Sequence, residues 1–175
     1  MKKITALLCA LLLLAVSCAC AAGSPIVEFR DRIQLNGSLP DGYSYSLEEQ
    51  AELTLKGTVS SADPAAPFLV VFIGFNESYA GVESLDKLDQ TSLEIVRQGF
   101  SAEDSVSFDM IETAAGDRLL AVRENNGRFL DLYTVCLGYE IELTLCPADG
   151  RTLTEEQIRL CLDYINQLDI VPVLG

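Results

Sequence analysis

The sequence predicts an α+β fold, a single-domain α/β/α sandwich on a largely antiparallel sheet, over residues 25–175. Three observations carry this expectation. Four strand-like segments follow one another from Ser105 to Cys146 with turn residues between them, the pattern of an antiparallel meander. Two amphipathic helix patterns flank that meander, at Leu85–Gln98 and after Thr154. The meander strands are apolar on both faces, so each face needs a cover.

Residues 1–22 stand outside this fold as an export signal. Lys2 and Lys3 are followed by an apolar run from Ile4 to Val16, too short to span a bilayer comfortably. Ala19-Cys20-Ala21 fits the small-x-small rule for cleavage and plain secretion. Ala15-Val16-Ser17-Cys18 fits a bacterial lipobox, which leaves Cys18 as a lipid anchor. Both readings stay open, with a retained N-terminal anchor helix as the third. No later stretch approaches a membrane span, so none is expected in the mature chain.

After a lead-in over residues 24–32, Ile33–Leu39 reads as a strand stopped by the turn Pro40-Asp41-Gly42. Tyr43–Leu47 and Leu53–Val59 follow as strands, and Ser60–Pro67 as a loop. Phe68–Phe75 is apolar at every position except Gly74, as expected of a central strand covered on both faces. Asn76–Glu83 is a polar loop. Ser84 is placed to cap a helix over Leu85–Gln98, with Gly99 as its stop.

The meander strands are Ser105–Thr113, Arg118–Glu124, Phe129–Leu137 and Tyr139–Cys146. Asn126-Gly127 is a preferred type I′ pair, which sets Arg123 opposite Leu130 and Ala121 opposite Leu132. Leu120 and Val122 then share the other face with Tyr133 and Val135. A tight turn about Gly138 sets Cys136 opposite Ile141, Thr134 opposite Leu143 and Leu132 opposite Leu145. Thr154-Glu-Glu-Gln157 is a capping box, with Leu153 and Ile158 as its staple. Ile158, Cys161, Leu162, Ile165 and Leu168 continue the apolar stripe, so the helix should end near Leu168. Ile170–Val173 is a short last strand.

This order of elements resembles the Mog/PsbP-like fold. The segment Arg123-Glu-Asn-Asn-Gly-Arg-Phe-Leu-Asp-Leu-Tyr-Thr, with Gly138-Tyr-Glu-Ile-Glu-Leu and Leu153-Thr-Glu-Glu-Gln-Ile, is similar to uncharacterised secreted bacterial proteins of that type. The resemblance implies a binding or assembly factor. It transfers no functional residue.

Charge and composition exclude several functions. The chain of 175 residues has 12 Lys and Arg against 26 Asp and Glu, a net charge of −14, and no His. Loss of Lys2 and Lys3 with the signal leaves 10 basic and 26 acidic residues, a net charge of −16. So acidic a chain is repelled by phosphate backbones, which excludes a nucleic-acid partner. Without His there is no His-based triad, zinc site or proton shuttle. No phosphate-binding glycine loop, Gly-x-Ser-x-Gly elbow or Ser-x-x-Lys motif occurs, so no cofactor is expected.

Cys136, Cys146 and Cys161 remain after export, an odd number. Strand parity puts Cys136 and Cys146 on opposite faces, which forbids a bond between them. Cys136 and Cys161 are expected to be buried free thiols, the alternative being a bridge between them. With no base for a thiolate, neither reads as a nucleophile.

The remaining candidates are polar clusters. Glu140 and Glu142 share a strand face, the pairing a carboxylate hydrolase would use. On a solvated face such a pair lacks the desolvation that splits the two roles. Glu83, Asp86 and Asp89 flank a helix start, where the macrodipole explains acids, and Asp104 and Asp109 flank a strand start. No calcium-loop spacing joins them. Tyr43 and Tyr45 read as strand aromatics with an alternative role as interface anchors. Arg123, Asn125, Asn126 and Arg128 form the expected contact surface for a protein or envelope partner, joined by Arg118 if it is near. The rival reading is a solvated turn whose arginines neutralise Glu124 and Asp131. The function expected is a non-catalytic binding or assembly module outside the cell or at its envelope, the alternative being a hydrolase using carboxylates alone.

Overall fold

A computed structural model describes residues 25–100, 106–124, 127–148 and 150–173. The proposed signal, Asp104, Asn125 and Asn126 lie outside the described residues. Alternating apolar residues build most of the strands. In chain order these are β1 (Pro25–Phe29), β2 (Ile33–Asn36), β3 (Tyr43–Gln50), β4 (Thr54–Ser61), β5 (Phe68–Phe75), β6 (Val106–Glu112), β7 (Arg118–Glu124), β8 (Leu130–Cys136), β9 (Tyr139–Cys146) and β10 (Asp169–Pro172). Helix α1 spans Gln90–Phe100 and α2 spans Glu155–Ile165. The architecture is α+β. Seven strands form one antiparallel sheet in the order β3-β4-β5-β9-β8-β7-β6, and β1-β2-β10 form a second.

The two faces of the large sheet feed two cores. On the inner face Leu55, Val71, Ile73, Leu119, Leu132, Ile141 and Leu143 meet the small sheet (Val27, Phe29, Leu35, Ile170) and α2 (Ile158, Ile165). On the outer face Leu120, Val122, Tyr133 and Val135 meet Val96 of α1 together with Tyr79 and Leu85. The pairing of β7 with β8 follows the Asn126-Gly127 expectation, with Arg123 opposite Leu130 and Ala121 opposite Leu132.

The small sheet is not legible in the sequence. Its first strand lies in the lead-in, where Val27 and Phe29 alternate with exposed Glu28. Five residues with two inward apolar groups are too short a signal to separate from coil. Ile33–Asn36 also stops earlier than Leu39.

Other expectations are corrected. Ser84 caps no helix: its hydroxyl donates to Asp86 Oδ1 at 2.6 Å, and Leu85–Lys87 is one 3-10 turn. Asp89 starts α1 instead, accepting from the Ser92 backbone N–H and hydroxyl at 2.9 Å each. A carboxylate satisfies the free N–H groups of the first turn better than a hydroxyl already bonded elsewhere. Gly99 lies within α1 and does not end it.

At the β8–β9 turn the register is two residues from the one expected. Cys136 faces Tyr139, Thr134 faces Ile141 and Leu132 faces Leu143. Leu137 and Gly138, with φ of 48° and 81°, make a two-residue turn in which both centres are left-handed, the type I′ geometry. A shift of two keeps the face of each side chain, so the expected faces stand. Helix α2 ends at Ile165, and Leu168 is buried beyond it. Phe68–Phe75 is paired on both edges but not covered on both faces, since Phe72 is 36% exposed on the outer side. The outer cover described reaches β7 and β8 and leaves β5 open there.

Candidate functional site

A concavity lies on the inner face between the sheet and α2. Its floor is Val59 of β4, Leu69 and Val71 of β5, and Leu143 and Leu145 of β9. Leu160, Cys161, Tyr164 and Ile165 of α2 roof it, and Val27 and Leu35 of the small sheet close one side. The cleft has a volume of about 620 Å³, inside the roughly 300–1,000 Å³ of small-molecule sites.

Local sequence explains why the cleft exists. The period of 2 in β4, β5 and β9 sends every second apolar residue inward. The capping box fixes the start of α2: Gln157 N–H donates to Thr154 Oγ1 at 3.2 Å, and Thr154 N–H donates to Gln157 Oε1 at 2.9 Å. That phase turns Ile158 and Ile165 into the core and leaves Leu160, 43% exposed, at the cleft. Leu160 is off the stripe read from the sequence, and its role emerges only from the space beside α2.

Strand register gathers the polar residues at one end. Tyr43 pairs with Ser61, and Phe68 pairs with Cys146, so the segments before β3, between β4 and β5, and after β9 adjoin. They bring exposed Asp41, Asp63 and Arg151 to the lining. Asp63 Oδ1 accepts from Ala65 N–H at 2.9 Å, and the Tyr43 hydroxyl donates to the Pro67 carbonyl at 3.1 Å. Burial, then the Asp63 charge, pushes the Tyr43 hydroxyl upward. Burial pushes the Cys161 thiol up to about 12, so this thiol is not ionised near neutrality. Cys136 is likewise pushed up to about 11 by burial and by the Asp117 charge. Cys136, Cys146 and Cys161 are all free; Cys161 is half-buried rather than fully enclosed.

The sequence-predicted carboxylates lie on the other face. Glu142 is half-buried, and desolvation, then Asp131 and Glu140, hold its carboxyl above the usual range. The solvated face expected there is therefore partly dry. The Tyr133 hydroxyl donates to Glu140 Oε1 at 2.7 Å. Asp131, opposite Thr144, is 7% exposed, and its Oδ1 has no hydrogen-bond partner among the described residues. Burial raises its carboxyl against the opposing effect of a Thr144 hydrogen bond. These acids neighbour one another on adjacent strands of a single face, and the cleft is not on that face.

Asp86 is held down to about 2 by the Ser84 and Lys87 side chains, and Asp89 is lowered by its bonds to Ser92. Glu83 and Asp109 are exposed. No three acids or thiols among the described residues are placed to hold a metal ion. Tyr43 and Tyr45 do sit on an edge strand, but both turn inward, Tyr43 to the cleft and Tyr45 over Gly57.

Each arginine of the expected contact surface has an intramolecular partner. Arg123, on the Leu119 and Ala121 face, pairs with Glu155 at the start of α2. Arg128 pairs with Glu124 at 2.6 Å, and the Glu124 carboxylate is almost wholly buried. Arg118 stands at the far end of β7 on Glu112, at 3.5 Å. It is about 17 Å along the strand from Arg123. No helix among the described residues is long and apolar enough to cross a membrane.

A scan against models of known protein families matches none of them, and a search of curated proteins returns no match.

Proposed function

We propose that the protein is an exported, non-catalytic binding module acting at the cell envelope or outside the cell, with a Mog/PsbP-like sandwich fold, and that the inner-face cleft is its ligand site. One observation carries the proposal: the floor and roof of the cleft are mainly apolar, while its three charged lining residues, Asp41, Asp63 and Arg151, are exposed. Such a site desolvates an apolar group and offers no group to react with it. Asp41 and Asp63, at the ends of neighbouring strands, sit on one wall of the rim rather than across it from one another. The carboxylates with raised pKa, Asp131 and Glu142, are on the opposite side of the sheet. The roof thiol is protonated. These placements weigh against a carboxylate hydrolase. The ion pairs of Arg123 and Arg128 leave the cleft, not their turn, as the better contact site.

The test is a titration of the purified protein with N-phenyl-1-naphthylamine, a neutral fluorophore that brightens on leaving water. Saturable binding at one site per chain is expected, and Leu160→Glu should abolish it without changing the circular dichroism. Fluorescence that rises without saturating, or that ignores Leu160→Glu, would sink the cleft as the ligand site. Mass and N-terminal sequence of protein recovered from cells decide between a start near Ala22 and a lipidated Cys18.

A further inference from the structure

We infer that the cleft takes a single-chain zwitterionic amphiphile, its alkyl chain along the floor and its two head-group charges shared between Arg151 and the Asp41–Asp63 pair. This rests on the reading of the cleft as a ligand site and adds the class of ligand.

The rim carries three charged side chains, and their arrangement is polar in one direction. Asp41 precedes β3 and Asp63 follows β4, at the edge of the large sheet. Arg151 lies after β9 and before α2, and β5 separates β4 from β9. Arg151 therefore enters the mouth from the β9–α2 connection and the two aspartates from the β3–β4 side. Arg151 makes no ion pair with any described residue, nor does exposed Arg30, which does not line the cleft, whereas Lys56, Lys87, Arg118, Arg123, Arg128 and Arg159 do. An exposed arginine is solvated at little cost, and at the entrance of an apolar cleft its planar fork can pair with an anionic group of a ligand.

The three head-group types fare differently. A fatty carboxylate would meet Arg151 but also two aspartates and the acidic field of the chain. An alkyl ammonium would meet the aspartates and be favoured by the acidic field, but would also face Arg151 and leave its guanidinium without an anion. A head group carrying phosphate and ammonium satisfies both sides at once, the phosphate accepting from the planar guanidinium fork. The neutral polar groups of the rim, Ser38 and Gln157, favour neither charge.

The experiment displaces bound N-phenyl-1-naphthylamine with dodecylphosphocholine, laurate or dodecyltrimethylammonium, each below its micelle concentration. The three share a chain and differ in head group. Dodecylphosphocholine should displace the probe at about tenfold lower concentration than either of the others, the effect of one well-placed ionic hydrogen bond. Arg151→Gln should make dodecyltrimethylammonium the best competitor. Asp41→Asn with Asp63→Asn should do the same for laurate; the amide that replaces the Asp63 carboxylate keeps an oxygen to receive the Ala65 N–H. Each competitor's concentration is expressed against the probe affinity measured in the same variant. Equal displacement by all three in the unaltered protein, or an unchanged ranking in both variants, overturns the zwitterion assignment while leaving the cleft as a site. Absence of saturable probe binding overturns both.

Discussion

Two residues show how single side chains set the energetics of the large sheet. Gly57 lies under Tyr45, and a Cβ at that position would run into the Tyr45 ring and hydroxyl. Gly57→Ala should cost about 1–3 kcal/mol, as overpacking does. Adding Tyr45→Ala should recover part of that loss, so urea midpoints of the two single variants and the double variant test the contact. Asp131 acts through charge. Its folded-state pKa lies above the unfolded value, so the folded state binds the proton more tightly. Its contribution is most favourable below the unfolded carboxyl range and is lost as pH rises through the folded pKa. Asp131→Asn should therefore raise the urea midpoint at pH 7 and leave it nearly unchanged at pH 3. A larger gain at pH 3 would contradict the desolvation account.

Among the elements, the helices differ in how their starts are held. Thr154 makes both bonds of a capping box, whereas Ser84 bonds only Asp86 and the actual cap of α1 is Asp89. Thr154→Ala and Asp89→Ala should each lower stability by about 1 kcal/mol. Ser84→Ala should cost clearly less. Thermal melts of the three variants rank them, and a Ser84 effect equal to that of Asp89 would mean the helix starts earlier than described. Loss of the Thr154 cap should also weaken probe binding, because α2 is the roof of the cleft. The capping box is legible because its four residues are contiguous. Asp89 is not, because Ser84 precedes the first apolar residue, and local spacing cannot tell which polar side chain is already occupied by a neighbour.

At the scale of the molecule, acidic self-repulsion sets the response to solvent. Net charge of this size works against the compact state and is screened by salt. Raising sodium chloride at pH 7 should raise the melting temperature, and a melting temperature that falls with salt would assign the charges to net attractive networks. The free thiols give a second whole-chain test. Alkylation of the unfolded mature protein should label Cys136, Cys146 and Cys161 equally with and without prior reduction. Extra mass appearing only after reduction would reveal a disulfide.

The parity of each meander strand, the partners around Asn126-Gly127, the capped last helix and the free thiols are all readable from the chain. Each depends on residues close in sequence, where a period of two or a four-residue motif has one geometric outcome. The second sheet is not readable, because β2 lies between β1 and β10, which are separated by more than a hundred residues, and neither outer strand carries a long pattern. Nor is the cleft. Arg151, Asp41 and Asp63 look like ordinary turn residues, and they line one mouth because three connections leave the same end of the large sheet. Glu142 and Asp131 likewise look solvated until the neighbouring strands dry them. Desolvation and empty volume are properties of what packs around a residue, and local spacing carries no record of either.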